Sequence, residues 1–156
     1  LKEIAIKKCL EARKLAIARK TYVGACVYTD NKYYIGFNVE NRSHKGYHAE
    51  EVALINCYIN RVDPDDIKGI VISFGGDFSE PTFPCGHCRQ VLWEYTNNPD
   101  LDVIEISIES GKILGEKKLG ELLPIPYPHH NWGSFVKIYA FKDDNKISEE
   151  EVRKLE

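Results

Sequence analysis

Apolar side chains recur at helical spacing from the start of the chain. Over residues 2–19, Ile6, Cys9, Leu10, Ala16 and Ile17 fall on one stripe, while Lys2, Glu3, Lys7, Lys8, Glu11 and Lys14 lie mostly off it. That spacing predicts an amphipathic helix, interrupted by Arg13. The period then drops to two. Residues 22–29 and about 33–38 read as strands joined by Asp30-Asn31, the usual chemistry of a hairpin turn. The small residues Gly24 and Ala25 inside the first strand predict close approach of another element or a ligand. An irregular run from Arg42 to Tyr47 leads into a second helix over about 48–60. Ala49, Val52, Ala53 and Cys57 cover one side of it, and Leu54, Ile55, Tyr58 and Ile59 much of the rest, the pattern of a central helix buried on most of its surface.

Asn60 to Asp66, with Pro64 inside, ends that helix, and Ile67 to Phe74 is a continuous apolar run of the kind found in strands buried on both faces. Gly75-Gly76 and the proline-containing stretch to Phe83 predict a loop. A helix follows over 86–96 and stops at Asn97-Asn98-Pro99. In 101–108, Ile104, Ile106 and Ile108 alternate with Glu105 and Ser107, predicting an edge strand with one wet face. A short strand at 111–115 and a short helix at 117–123 come next, then a loop from Pro124 to Pro128 that cannot join a sheet interior. Phe135 to Phe141 alternates like a strand, and Ser148 with Glu151 forms a capping box for a final helix. The sum is a three-layer α/β/α domain with a mixed sheet of about five strands, its two central helices beginning at the end of the sheet where α/β folds bind ligands.

Composition narrows the class. The 156 residues, 43% hydrophobic and 29% charged, fit one globular domain over 1–156, with 129–156 as a C-terminal extension. No apolar run approaches a membrane span and no signal-peptide layout opens the chain, so the expected setting is cytoplasmic. The net charge of −3 and the lack of a basic stripe argue against nucleic acid as a partner. The chain has no methionine, so its natural start is expected to lie upstream. Of five cysteines, Cys9, Cys26 and Cys57 sit in apolar segments as reduced core thiols, and no disulfide framework is implied.

The other two cysteines carry the chemistry. Cys85 and Cys88, in Pro84-Cys85-Gly86-His87-Cys88-Arg89-Gln90, fall on the first turn of a helix, where free backbone N–H groups favour thiolates. A C-x-x-C pair alone also suits redox pairs and structural zinc ribbons. Joined with His48-Ala49-Glu50, it makes three ligands for a single zinc, His48, Cys85 and Cys88, with the fourth position left for water. Glu50 lies two residues beyond His48, placed to face that water without binding the metal. Zinc with one neutral imidazole and two thiolates is formally neutral, so a buried site of this composition needs no counter-ion.

H-x-E followed by P-C-x-x-C is a signature of zinc nucleobase deaminases. With Gly36-Phe37-Asn38-Val39-Glu40-Asn41 and Leu119-Gly120-Glu121-Leu122-Leu123-Pro124, the chain resembles the cytidine deaminase family over roughly 10–128. The resemblance implies hydrolytic deamination of cytidine or deoxycytidine with release of ammonia, with Glu50 moving protons and with Asn38, Glu40 and Ala49 at the substrate. It places Tyr127 as an aromatic packed on the base, and it implies a homo-oligomer, a tetramer or a dimer, acting on a free nucleoside. Short enzymes of the family usually carry Cys at the His48 position and Arg after the Glu. Here His48 and Glu51 stand in those places, which the charge balance explains, since a His-type site leaves an Arg nothing to offset.

Other readings compete. One is deamination of a modified cytosine nucleoside of the blasticidin type, or of a base in nucleic acid; Glu40 disfavours a phosphate near the sugar. Another is a zinc-stabilised binding protein without activity, for which Glu50 has no use. His87 reads as a second-layer or surface residue, His44 as a loop residue, and His129-His130-Asn131-Trp132 as a polar loop or subunit contact. Asp143-Asp144 reads as a solvated turn.

Overall fold

The computed structural model describes residues 1–74, 80–128 and 133–140. At its centre lie β1 (Gly24–Tyr28), β2 (Tyr33–Phe37), β3 (Gly69–Ser73), β4 (Asp102–Ile106) and β5 (Ile113–Lys118), in the order β2-β1-β3-β4-β5. β1 is antiparallel to both neighbours, β3 and β4 are parallel, and β5 closes the far edge antiparallel. Alternation sorts the side chains into two cores. Ala25, Val27, Ile70 and Ile72 pack with α2 (Ala49–Ile59) and α3 (Gly86–Thr96), whereas Cys26, Tyr28 and Val71 pack with Ala5 and Cys9 of α1 (Lys2–Arg13). These are the three expected layers and the expected mixed sheet.

Strand direction places the rest. Because β1 opposes both β2 and β3, those two run the same way, and Gly24 is paired with both Phe37 and Ser73. α2 is the helix after β2 and α3 the helix after β3, so both open beyond one end of the sheet, as predicted. Two glycines let the helices lie close. A Cβ on Gly36 would sit 2.2 Å from the carbonyl oxygen of Ala49 and the nitrogen of Ala53, and one on Gly24 would sit 2.2 Å from the carbonyl oxygen of Cys9. The element that the small residues at 24 and 25 announced is therefore α1.

Several expectations are corrected. α1 ends at Arg13, not at 19, because Ile17 leaves the helix to bridge Val39: its N–H donates to the Asn38 carbonyl (3.0 Å) and its carbonyl accepts from Glu40 N–H (2.7 Å). Its buried stripe is accordingly Ala5, Cys9 and Ala12. α2 is not buried on most of its surface, since Ile55, Tyr58 and Ile59 are 47%, 42% and 71% exposed. β4 is no wet edge: β5 covers it and Glu105 is 1% exposed. Residues 135–140 form a helix, α5 (Phe135–Ala140), because the Ser134 hydroxyl accepts from Lys137 N–H (3.1 Å) as an N-cap and the helix packs on α3. The short helix α4 spans Leu119–Leu122. Gly75-Gly76, His129 to Trp132, Asp143-Asp144 and the Ser148 capping box lie outside the described residues. Among the described residues no helix is long and apolar enough to cross a membrane.

Candidate active site

His48 is the residue just before α2, in extended backbone, and its N–H donates to the Glu51 carboxylate (2.8 Å), which caps the helix from its third position. Cys85 holds the same place before α3, and Cys88 lies in that helix's first turn, fully buried. Two helix N-termini thus bring the three residues together across the chain. His48 Nδ1 is 3.3 Å from Cys88 Sγ and 3.5 Å from Cys85 Sγ, and all three donor atoms lie within 4.8 Å of one another. Zinc bonds of about 2.0 Å to nitrogen and about 2.3 Å to sulfur, at a tetrahedral angle, separate two such ligands by about 3.5 Å. The donor set fits the ion. Burial, reinforced by Glu50 and Cys85, pushes the Cys88 thiol up, so the helix N-terminus alone does not make it a thiolate. A cation shared by both sulfurs is what reconciles that burial with ionised ligands.

Glu50 is 3% exposed, and burial raises its pKa against the opposing pull of its own backbone hydrogen bond and His48. It lines a cavity of about 420 Å³ together with His48, Ala49 and Cys85. The opposite wall is the Asn38 to Gly46 segment and the chain leading into β1. The Asn38 side-chain oxygen accepts from Val23 N–H (2.8 Å) and its amide donates to the Thr21 carbonyl (2.7 Å), so Asn38 fixes that wall while lining it. The Asn41 side-chain oxygen accepts from Ser43 Oγ (2.8 Å) and Lys45 N–H (3.1 Å), shaping the loop that ends at His48.

Glu40 faces the cavity with a partner that sequence reasoning missed. Arg19 donates to Glu40 Oε2 from its backbone N–H (3.1 Å) and its guanidinium (3.0 Å), and reaches the Asn41 carbonyl (3.1 Å) with its other amino group. No hydrogen bond to Glu40 Oε1 is made among the described residues. The guanidinium offsets the repulsion that a lone carboxylate would exert on a phosphate. Tyr127 is 74% exposed and is not among the described residues lining the cavity; its backbone carbonyl accepts from the Gln90 amide.

Two further contacts give the motifs their tasks. Arg89 donates to the Pro84 carbonyl (2.7 Å) and the Leu122 carbonyl (3.0 Å), tying the cysteine loop to the L-G-E-L-L-P segment. Glu51 receives His87 Nε2 at 2.7 Å, joining the first turns of α2 and α3. Burial opposes the charge on Glu51, but its hydrogen bonds from His87 and the His48 backbone outweigh it and lower its pKa. His87, expected as a second-layer or surface residue, is exposed and stands outside the group that could hold a metal.

Comparison with known proteins agrees with this geometry. Residues 1–98 match the family model of the cytidine and deoxycytidylate deaminase zinc-binding region. A cytidine deaminase structure from Burkholderia pseudomallei is 31% identical, with a TM-score of 0.71 over 80% of this chain and 98% of that one. One from Mycobacterium leprae, 24% identical with a TM-score of 0.62 over 79% and 97%, shares the fold. Cytidine deaminase 7 of Arabidopsis thaliana is 28% identical over 79 residues, which are 49% of this chain and 25% of that protein. The chain therefore spans about a quarter of the length of this curated relative. With the zinc-binding region matched over residues 1–98, more than half of the chain, and His48, Cys85 and Cys88 gathered where they could hold a metal ion, the chain belongs to the cytidine and deoxycytidylate deaminase family.

Proposed function

We propose that the protein is a zinc-dependent hydrolytic deaminase of a cytosine nucleoside, cytidine or deoxycytidine, forming the uracil nucleoside and ammonia. One observation supports this most: Glu50, a carboxylate 3% exposed, lines the same cavity as His48 and Cys85. A zinc that only holds loops together gains nothing from a buried acid beside it. His48, Cys85 and Cys88 would hold the zinc, which when bound would supply the Lewis acidity that makes water a nucleophile at neutral pH. Glu50 accepts the proton that the water gives up and holds it on its carboxylate, a state its burial favours. It gives that proton to ring N3 as the oxygen bonds to C4, then takes the second proton from that oxygen and passes it to the exocyclic nitrogen as the C4–N bond breaks. The water oxygen remains as the C4 carbonyl, and nitrogen leaves as ammonia.

Glu40 is the group that recognises the sugar. Arg19 fixes Oε2, which leaves Oε1 for a ribose hydroxyl, and Asn38 supports the wall beside it. The test is absorbance and ammonia release with cytidine, deoxycytidine, their monophosphates, adenosine and blasticidin-type nucleosides, side by side. The nucleosides of cytosine should turn over fastest, and Glu40→Gln should cost about 1–3 kcal/mol in kcat/KM for them, since a charged acceptor is lost. Turnover of a blasticidin-type compound alone would replace this substrate with the modified one, and no turnover of any would overturn the enzymatic reading.

The protein associates with copies of itself. Ile55, Tyr58 and Phe135, the last 56% exposed, border an apolar groove of about 360 Å³ whose walls include Leu54, Val91 and Tyr95. Apolar side chains left in water at this density mark a contact surface. Equilibrium sedimentation at micromolar protein should give a dimer or a tetramer, and a monomer at all concentrations would refute the assignment.

A further inference from the structure

Glu105 is the least expected charge in the fold. It stands on β4, an interior strand, is 1% exposed, and is not used by the chemistry above. An apolar side chain would satisfy this position of the sheet, whereas a carboxylate there is costly unless its oxygens are filled. They are filled by one short stretch of chain. Oε2 accepts from Phe83 N–H (2.5 Å) and Thr82 N–H (2.7 Å), and Oε1 accepts from the Thr82 hydroxyl (3.1 Å). The residue paired with Glu105 on β5 is Gly115, where a Cβ would lie 2.7 Å from Pro81 Cγ and 2.9 Å from Phe83 Cζ. The sheet is hollowed at one place and charged at the next, and both features receive residues 81–83.

That stretch leads straight into the ligands. Phe83 has φ of +55°, a left-handed backbone that a bulky residue adopts only when its surroundings impose it. Buried Pro84 follows with its restricted φ, and then Cys85 opens α3. Two residues reach no more than about 7 Å, so a shift of the Phe83 backbone is passed on to the Cys85 sulfur. We propose that Glu105 is a positioning residue of the metal site, its carboxylate clamping the backbone of Thr82 and Phe83 and thereby setting Cys85 and Cys88 for zinc. The proposal rests on the zinc assignment of His48, Cys85 and Cys88.

The experiment follows metal, not turnover. Glu105→Gln keeps the shape but removes the charge from the oxygen that receives both backbone N–H groups, and it turns an NH2 in place of an acceptor toward the Thr82 hydroxyl. It is expected to weaken zinc retention about 10- to 100-fold in competition with a chelator. The thiolate-to-cobalt absorption of the Co²⁺-substituted protein should shift as well. Val71→Ala, a core truncation on the face toward α1, is the control for loss of stability alone and should leave both readouts as in the wild type. If Glu105→Gln fails to fold, Thr82→Val, which removes only the hydroxyl donor, carries the test and should speed zinc release by a smaller factor. A folded Glu105→Gln or Thr82→Val protein with wild-type zinc release and cobalt spectrum would overturn the clamp, as would equal zinc loss in Val71→Ala. A wild-type protein that takes up no zinc would instead overturn the metal assignment itself, a result visible before any variant is made.

Discussion

Glu50→Gln is expected to lower kcat by at least about 10²- to 10⁴-fold while leaving metal content unchanged. The amide preserves the size of a side chain that lies almost wholly inside the protein, so packing around the first turn of α2 should survive. What it loses is the ability to take up a proton and release it again. KM for cytidine should change far less than kcat if, as proposed, Glu50 acts on the reacting atoms and Glu40 recognises the sugar. Full activity in this variant would show that another residue carries the proton, and the mechanism assigned here would be wrong.

Cys85→Ala should abolish stoichiometric zinc and, with it, detectable turnover, whereas Cys26→Ala should keep both. The contrast follows from position: Cys85 is within 3.5 Å of the His48 ring, while Cys26 faces α1 across the sheet. Loss of the metal should also be felt by the fold, since an ion held between His48 and Cys85 ties together two points far apart along the chain. A chelator should therefore lower the Tm of the wild type and not that of Cys85→Ala. Retention of one zinc per chain by Cys85→Ala, measured by elemental analysis, would mean a different ligand set and would remove the basis of the catalytic reading.

The ligand triplet was legible in the sequence because it is local twice over. His48 and Glu50 sit two residues apart at one helix start, Cys85 and Cys88 three apart at another, and only the meeting of the two starts had to be inferred. The strands around them were legible for a similar reason: β1, β2 and β3 announce themselves by apolar runs and by a turn at Asp30-Asn31, whose position the Thr29–Lys32 hydrogen bond (2.9 Å) bears out. What was not legible depends on contacts between distant residues. Nothing near Arg19 signals that it will hold Glu40, 21 positions away. Glu105 alternates with isoleucines as a solvent-facing residue would, and only the arrival of Thr82 and Phe83 turns that position inward. Phe135 to Phe141 shows the reverse failure, because alternation of period two was broken by one capping serine. The outward row of α2 was misread because apolar residues on all sides of a helix signal burial, and here Ile55, Tyr58 and Ile59 stay exposed.

The three cysteines that bind no metal have a chemical consequence of their own. Cys9, Cys26 and Cys57 are fully buried, and burial pushes the first two up to about 12 and the third higher still. At neutral pH they are protonated sulfur, enclosed and unable to attack an alkylating reagent or a disulfide. Cys85 is the exposed sulfur of the molecule, and it stands in the group that could hold a metal ion. Oxidation of the native protein should therefore fall first on Cys85, and an ion held there would also shield that sulfur.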